Sequence, residues 1–189
     1  MAINFVTDRT AEDVQRVAYL AGLSWDQMTS DEKAEWSGDM KGAYNANDLN
    51  RVESAVRYLA AIMEELPADL KSYSEELGVA WDKFYSPNYD PESTELKTKT
   101  DWINTDIPSQ EDMERYLGNV ITLRNAINYA TDRLPTSMRN LTWHGANAIE
   151  LALKRLDVAI EEFRVATKLN IENAAKAWYF SGDIYSGEV

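Results

Sequence analysis

The chain has 189 residues, of which 44% are hydrophobic, so it is long enough to bury a core of its own. It carries 32 acidic and 19 basic residues, and the resulting formal net charge of -13 disfavours direct binding to the phosphate backbone of DNA or RNA. The absence of cysteine excludes disulfides, thiolate metal ligands and a cysteine nucleophile. No stretch of about 18 residues is apolar enough to span a membrane, and the N-terminus lacks the pattern of a signal peptide, so we expect neither feature.

Apolar residues recur at helical spacing along most of the chain, and four segments begin with the pattern of a helix N-terminus. In this pattern a capping side chain is followed three residues later by a side chain that can bind the backbone N–H of the cap. The four predicted pairs are Thr10 with Asp13, Thr29 with Glu32, Asn45 with Asp48, and Ser109 with Asp112.

Glycine and proline mark the predicted ends of the helices in the first half. Gly22 ends the helix that starts after Thr10, and the second helix is predicted from Ser30 to about Ser37. Pro67 is predicted to end the third helix, because proline interrupts a helix interior. The segment "ADLKSYSEELG" then predicts a separate short helix that Gly78 closes.

Two further helical segments are predicted in the second half, one from Ser109 that ends before Pro135 and one from about Trp143 to Trp178. The terminal stretch "YFSGDIYSGEV" is aromatic, contains two glycines and is predicted to be non-helical. The predicted core-facing side chains are, in the third helix, Leu49, Val52, Val56, Leu59 and Met63; after Ser109, Met113, Tyr116, Leu117, Val120, Leu123 and Ile127; and in the last helix, Ala148, Ile149, Ala152, Leu156, Ala159, Ile160, Phe163 and Ala166.

The predicted fold is mainly α, an antiparallel helical bundle with an irregular aromatic connector and a non-helical C-terminal tail. Residues 1–78 form the N-terminal helical half, residues 79–107 the connector, and residues 108–189 the C-terminal half with the tail. The connector contains two prolines, with Pro108 directly after it, and no sustained helical period, but its aromatic residues predict that it packs on the helices, with room for a short strand. We expect the three parts to form one compact domain.

Candidate chemical groups in the sequence are few. His144, the single histidine, follows Trp143 at a helix start, so neither a histidine-based triad nor a pair of histidine ligands can form, and a capping or surface role is expected. Adjacent glutamates point about 100° apart on a helix and are expected to face solvent; they are Glu64 with Glu65, Glu75 with Glu76, and Glu161 with Glu162.

The stretch "SPNYDPE" offers Asn88, Asp90 and Glu92 as calcium ligands, but it lacks the spacing of a known loop and is expected to be a turn. We therefore predict no catalytic residue, no metal and no cofactor.

Six tryptophans could serve as sugar-stacking platforms or be buried in the core or an interface, and their scatter along the chain favours burial. They are Trp25, Trp36, Trp81, Trp102, Trp143 and Trp178.

Long stretches of the chain resemble a family of small phage and prophage proteins of Firmicutes that are encoded among tail and baseplate genes. The resemblance rests on "WDQMTSDEKAEWSGDMKGAYNANDLNRVESAVRYL", "TKTDWINTDIPSQEDMERYLGNVITLRNAI", "LPTSMRNLTWHGANAIE" and "KAWYFSGDIYSGEV". It implies a non-enzymatic virion protein, structural or adaptor, that is assembled in the bacterial cytoplasm and binds other tail or baseplate proteins or further copies of itself. Two alternatives stay open: an acidic phage-encoded inhibitor or nucleic-acid mimic that binds a host protein, and a carbohydrate-binding or cell-wall-directed protein.

Two groups of residues are candidates for the contacts that the resemblance implies. The tail supplies exposed aromatic and apolar side chains for a partner, namely Trp178, Tyr179, Phe180, Ile184 and Tyr185. In "KGAYNANDLNRV" we predict a fixed corner, in which Gly42 permits a tight turn, Tyr44 packs back, and Asn45 and Asp48 fix the start of the helix. Such a corner could serve docking in repeated copies or only the chain's own bundle.

Overall fold

The fold is known from a computed structural model that describes residues 3–81, 96–126 and 133–183, with side chains as far as residue 178. Within these residues the chain forms five α-helices and one 3₁₀ helix and no β-strand, which confirms the prediction of a mainly α-helical bundle. The elements are α1 (Ala11–Ala21), the 3₁₀ helix (Trp25–Gln27), α2 (Ser30–Trp36), α3 (Ala46–Glu76), α4 (Gln110–Ala126) and α5 (Trp143–Asp183).

All four predicted capping pairs form. The cap side chains of α1, α2 and α3 each accept a backbone N–H from the first turn, and the side chain three residues on binds the N–H of the cap. At α4, Ser109 Oγ accepts from the N–H of Asp112 at 3.1 Å, and the Asp112 carboxylate accepts from the Ser109 N–H at 3.0 Å. Gly78 follows α3 with a φ of 67°, the left-handed conformation that glycine adopts without strain.

The predicted break at Pro67 is wrong, because α3 runs without interruption from Ala46 to Glu76. Proline removes one backbone donor from a helix interior. The apolar stripe nevertheless continues beyond it, with Leu66 2% exposed and Leu70 fully buried. Burial of these side chains in the core outweighs the local penalty of the proline.

Helix α5 continues to Asp183, so the predicted end at Trp178 is too early, and the rest of the predicted non-helical tail lies outside the described residues. Ala166 is exposed, contrary to prediction, whereas Thr167 is 5% exposed. The predicted stripe advanced by three residues twice in succession after Ile160, whereas a period of 3.6 requires a step of four from Phe163 to Thr167. The predicted position Ile127 in α4 also lies outside the described residues.

Helices α3 and α5 lie side by side in the same direction and in constant register. Arg51 of α3 binds Glu150 of α5, and Tyr73 binds Glu172, each pair separated by 99 positions in sequence. These two contacts are about 33 Å apart along the helices at ~1.5 Å per residue. Helix α4 packs against both, and its Tyr116, Val120 and Leu123 belong to the same hydrophobic core.

The described parts of the connector pack on the bundle, as predicted. Trp102 is 5% exposed within the core, and Trp81 and Leu96 are partly buried against it. The amide of Asn50 in α3 binds both backbone groups of Trp102, accepting from its N–H at 2.8 Å and donating to its carbonyl at 2.8 Å. No strand is present in residues 79–81 and 96–107, and Asn88, Asp90 and Glu92 lie outside the described residues.

Candidate functional site

The corner predicted before α3 is the junction of the bundle. Gly42 lies in a turn that the Ala43 N–H closes by donating to the Met40 carbonyl at 3.0 Å. A Cβ atom at Gly42 would stand 2.1 Å from the backbone carbonyl oxygen of Asp13 in α1. Glycine is therefore required here by the close approach of another backbone.

Tyr44 joins the corner to α4. Its hydroxyl forms a hydrogen bond with the hydroxyl of Tyr116, and the two rings meet edge to face with centroids 6.5 Å apart. The guanidinium carbon of Arg9 lies 5.4 Å from the centre of the Tyr44 ring. Burial raises the pKa of both tyrosines, so they remain protonated hydrogen-bonding groups.

Asp48 has a second role besides capping α3, because it belongs to a buried group of two arginines and two carboxylates. This charge cluster consists of Arg9, Asp48, Arg51 and Glu150. Arg9 Nη2 lies 2.5 Å from Asp48 Oδ1 and 2.8 Å from Glu150 Oε1. Arg51 binds the same two carboxylates, with its Nη2 2.8 Å from Glu150 Oε1. The cluster is electrically balanced, and three of its side chains are 5% exposed or less.

The charge cluster also holds the N-terminal segment on the bundle. The Val6 N–H donates to Glu150 Oε2 at 2.6 Å, and Arg9 Nη1 donates to the Val6 carbonyl at 2.6 Å. The amide of Asn147 binds both the N–H and the carbonyl of Arg9. Glu150, which is 0% exposed, thus accepts from three residues, Val6 and Arg9 of the N-terminal segment and Arg51 of α3, as a buried carboxylate requires.

The sequence analysis missed this cluster. Its members are separated by as many as 141 positions, from Arg9 to Glu150, and no local pattern relates them. One feature of the sequence does indicate a buried charge, because Glu150 follows Ile149 on a stretch of α5 whose other core-facing residues are apolar. Every carboxylate of the cluster is bound by arginine, so the arrangement is suited to holding segments together rather than to transferring protons.

A second buried ion pair joins α3 to α4. Arg115 Nη2 lies 2.8 Å from Glu53 Oε1, and Glu53 is 1% exposed. Burial raises the pKa of Glu53, and Arg115 opposes that rise.

At the opposite end of the molecule, α5 presents one predicted interaction residue to solvent. Trp178 is 80% exposed. Tyr179 and Phe180 lie in α5, but their side chains, as well as Ile184 and Tyr185, are outside the described part.

Two clefts border the corner. The first has a volume of about 360 Å³ and is lined by polar residues that include Asp13, Arg16, Glu35 and Asp39. Within it, Arg16 binds both oxygens of Glu35, which lowers the pKa of that carboxylate. The second, which we call the head cleft, has a volume of about 340 Å³ and includes Arg9, Val14, Lys41, Tyr44, Leu141 and Trp143. A sugar hydrolase would need tryptophan and two carboxylates in one cleft, and neither of these two combines them.

The remaining candidates from the sequence are placed at the surface or at the margin of the core. His144 is exposed and stacks on Trp143 with ring centroids 3.3 Å apart. The three pairs of adjacent glutamates are exposed, as predicted. Of the tryptophans, Trp102 is buried in the core, whereas Trp25 is 54% and Trp36 39% exposed, so for these two the expected burial in an interface stays a prediction.

The described residues contain neither a membrane-spanning helix nor a cluster of metal ligands. None of their helices has the length and hydropathy needed to cross a membrane. No group of three or more histidine, aspartate or glutamate side chains among them is arranged to hold a metal ion.

Comparisons of the chain with protein-family models, with curated proteins and with solved structures found no match.

Proposed function

We propose that this chain is a non-enzymatic structural or adaptor protein of a phage tail or baseplate and acts through protein–protein contacts. The phage setting comes from the sequence resemblance described above. The observation on which the contact role rests is the course of α5 beyond the end of α3. In that setting the protein is assembled in the bacterial cytoplasm and becomes part of the virion.

The core-facing stripe of α5 extends further than the core that covers it. Side chains along this stripe are buried as far as Ile171, which is 0% exposed and, by the offset of 99 positions, lies level with residue 72, about one turn before α3 ends at Glu76. Trp178 lies seven residues, about two turns, further along the same face and is 80% exposed. An apolar stripe that ends in an exposed tryptophan is typical of a contact site, because aromatic anchors dominate the energetics of interfaces.

The opposite face of α5 adds further apolar surface. Val158, Val165 and Leu169 are 52%, 58% and 53% exposed and fall within about 40° of one another around the helix axis. Single exposed apolar residues are common, but three on one face of a helix that also exposes Trp178 near its C-terminal end favour a role in assembly.

The first test is quantitative mass spectrometry of density-purified particles from the producing strain, with the major tail protein as reference. A fixed ratio of this chain to the tail protein supports the proposal, and its absence from complete particles contradicts it.

The second test asks whether the end of α5 makes the contact. Truncation after Ala177, or Trp178→Ala, is expected to abolish incorporation into particles without loss of helical circular dichroism. Trp25→Ala is the matched control, because Trp25 is also more than half exposed but lies on the 3₁₀ helix. Equal incorporation of the Trp178→Ala and control variants would show that this residue is not the anchor.

One observation favours a second candidate, an acidic protein that binds a host protein in place of nucleic acid. The second half of α3 exposes five carboxylates and only one base, Lys71; the acids are Glu64, Glu65, Asp69, Glu75 and Glu76. Neutralising all five with Gln or Asn should leave incorporation into particles unchanged if the tail proposal is right, whereas a nucleic-acid mimic would lose its host target.

A further inference from the structure

The head cleft and the C-terminal tail lie at opposite ends of α5. The cleft includes Trp143, the first residue of α5, whereas the tail follows Asp183, its last. A helix of 41 residues is about 60 Å long at ~1.5 Å per residue. The six residues 184–189 reach at most about 20 Å when fully extended. Residues 184–189 of one chain therefore cannot reach its own head cleft, but the same residues of a second copy can.

The head cleft has the character of a site for an apolar or aromatic side chain. Its apolar walls come from three elements: Val14 of α1, Tyr44 of the corner, and Leu141 with Trp143 at the start of α5. Its volume of about 340 Å³ lies within the range of pockets that hold small ligands. The tail supplies matching residues, because Ile184 and Tyr185 follow α5 directly.

Charge at the two ends is complementary. The segment 133–142 leads into the cleft and contains Arg133 and Arg139 but no acidic residue. The segment 179–189 contains Asp183 and Glu188 but no basic residue. The dipole of α5 adds to this difference, because its N-terminus is positive and its C-terminus negative. The two bases that line the cleft are paired, Lys41 with Asp8 and Arg9 with Asp48 and Glu150, so the charge of opposite sign that an approaching tail meets comes from Arg133, Arg139 and the helix dipole.

We propose that the head cleft binds the tail segment 179–189 of a second copy, so that copies associate head to tail. Such a contact joins two different surfaces of the same chain and repeats along the assembly, which forms a ring if the rotation closes and a filament if it does not. The inference rests on the proposed function in one respect, since both assign contacts to the C-terminal end of α5. It adds the identity of one partner, the chain itself, and the surface that receives it.

Sedimentation velocity of the purified chain over a range of micromolar concentrations tests the proposal. The full chain is expected to form species larger than a dimer as concentration rises. Two variants should remain monomeric: truncation after Trp178, which removes the tail, and Val14→Glu with Lys41→Glu, which places negative charge in the cleft. Ile107→Glu is the matched control, because Ile107 is an apolar residue that is 94% exposed and lies outside both surfaces, so this change should not prevent association.

Mixing the two monomeric variants distinguishes this contact from any other. The truncated chain keeps its cleft and the cleft variant keeps its tail, so an equimolar mixture can form one junction and should stop at a complex of two chains. Circular dichroism and thermal unfolding of each variant confirm that it is folded before the mixture is analysed.

Three outcomes would overturn the proposal: a full chain that stays monomeric, association that persists in both variants, and a mixture that gives no two-chain complex. Its failure is separable from failure of the proposed function. A monomer that is nevertheless present in particles at a fixed ratio refutes only the head-to-tail contact, and a head-to-tail polymer absent from particles refutes only the tail or baseplate role.

Discussion

The substitution Glu150→Gln tests whether the charge cluster stabilises the junction of the bundle. The Glu150 carboxylate is 0% exposed and accepts hydrogen bonds from the Val6 N–H, from Arg9 and twice from Arg51 at distances of 2.6 to 2.9 Å. Glutamine preserves the shape but leaves two buried arginines with Asp48 as their one remaining carboxylate in the cluster. Breaking a buried pair in this way costs about 3 to 5 kcal/mol. We expect a decrease of that size in the free energy of unfolding.

Urea unfolding followed by far-ultraviolet circular dichroism measures this decrease by linear extrapolation. The matched control is Glu161→Gln in the same helix, because Glu161 is 62% exposed and its ion pair with Arg164, at 3.3 Å, should contribute less than about 1 kcal/mol. The difference between the two variants should persist in high salt, since salt screens a buried pair much less than an exposed one.

A double-mutant cycle isolates the contact between Arg51 and Glu150. Arg51→Met combined with Glu150→Gln should destabilise by less than the sum of the two single changes, with a coupling of about 0.5 to 3 kcal/mol. If Glu150→Gln were no more destabilising than Glu161→Gln, the cluster would make no net contribution to stability. The argument that it fixes the N-terminal segment would then fail.

Three further predictions concern other elements. Gly42→Ala should destabilise the chain by about 1 to 3 kcal/mol, because the added Cβ would lie 2.1 Å from the Asp13 carbonyl oxygen. The control Gly118→Ala in α4 adds a Cβ that meets nothing within 4 Å and should stabilise the chain by up to about 1 kcal/mol. Thermal unfolding of both variants measures the two changes. Pro67→Ala should raise the free energy of unfolding by about 1 to 3 kcal/mol, seen as a higher urea midpoint, because it restores a backbone donor inside α3, and a lower midpoint would show that Pro67 is needed there. Burial raises the pKa of Glu53, so its contribution to the free energy of unfolding is present at low pH and lost as pH rises through the folded pKa. The free energy of unfolding, relative to that of Glu53→Gln, should therefore be greater at about pH 4 than at about pH 8. A difference that does not change with pH would contradict the raised pKa.

The local chemistry of the helix starts was predictable because it depends on residues three apart. Thr10, Thr29, Asn45 and Ser109 all act as predicted, since a capping box is a short-range interaction that sequence spacing determines. The apolar stripe before Pro67 was predictable for the same reason. The continuation of α3 through that proline was not, because it depends on burial against other helices rather than on local preference.

The charge cluster could not be predicted for a different reason. Arg9 and Arg51 look like ordinary surface arginines in the sequence, and only the packing of α3 beside α5 brings them to Glu150. The constant offset of 99 positions between the two helices likewise depends on tertiary packing. The sequence therefore predicts which residues start each helix and which face is apolar, but not which buried charges meet.

The corner before α3 serves the chain's own bundle on its inner side and lines a cleft on its outer side. Inward, Gly42 contacts α1, Tyr44 binds α4, and Asp48 connects α3 to the arginines that bind α5. Outward, Gly42 and Tyr44 form part of the head cleft together with Lys41. A cleft whose walls are fixed by the core loses little entropy when a partner enters, and such preorganisation favours binding. The two roles considered for the corner are thus compatible, because the contacts that make it rigid for folding also give the proposed head-to-tail contact a defined surface.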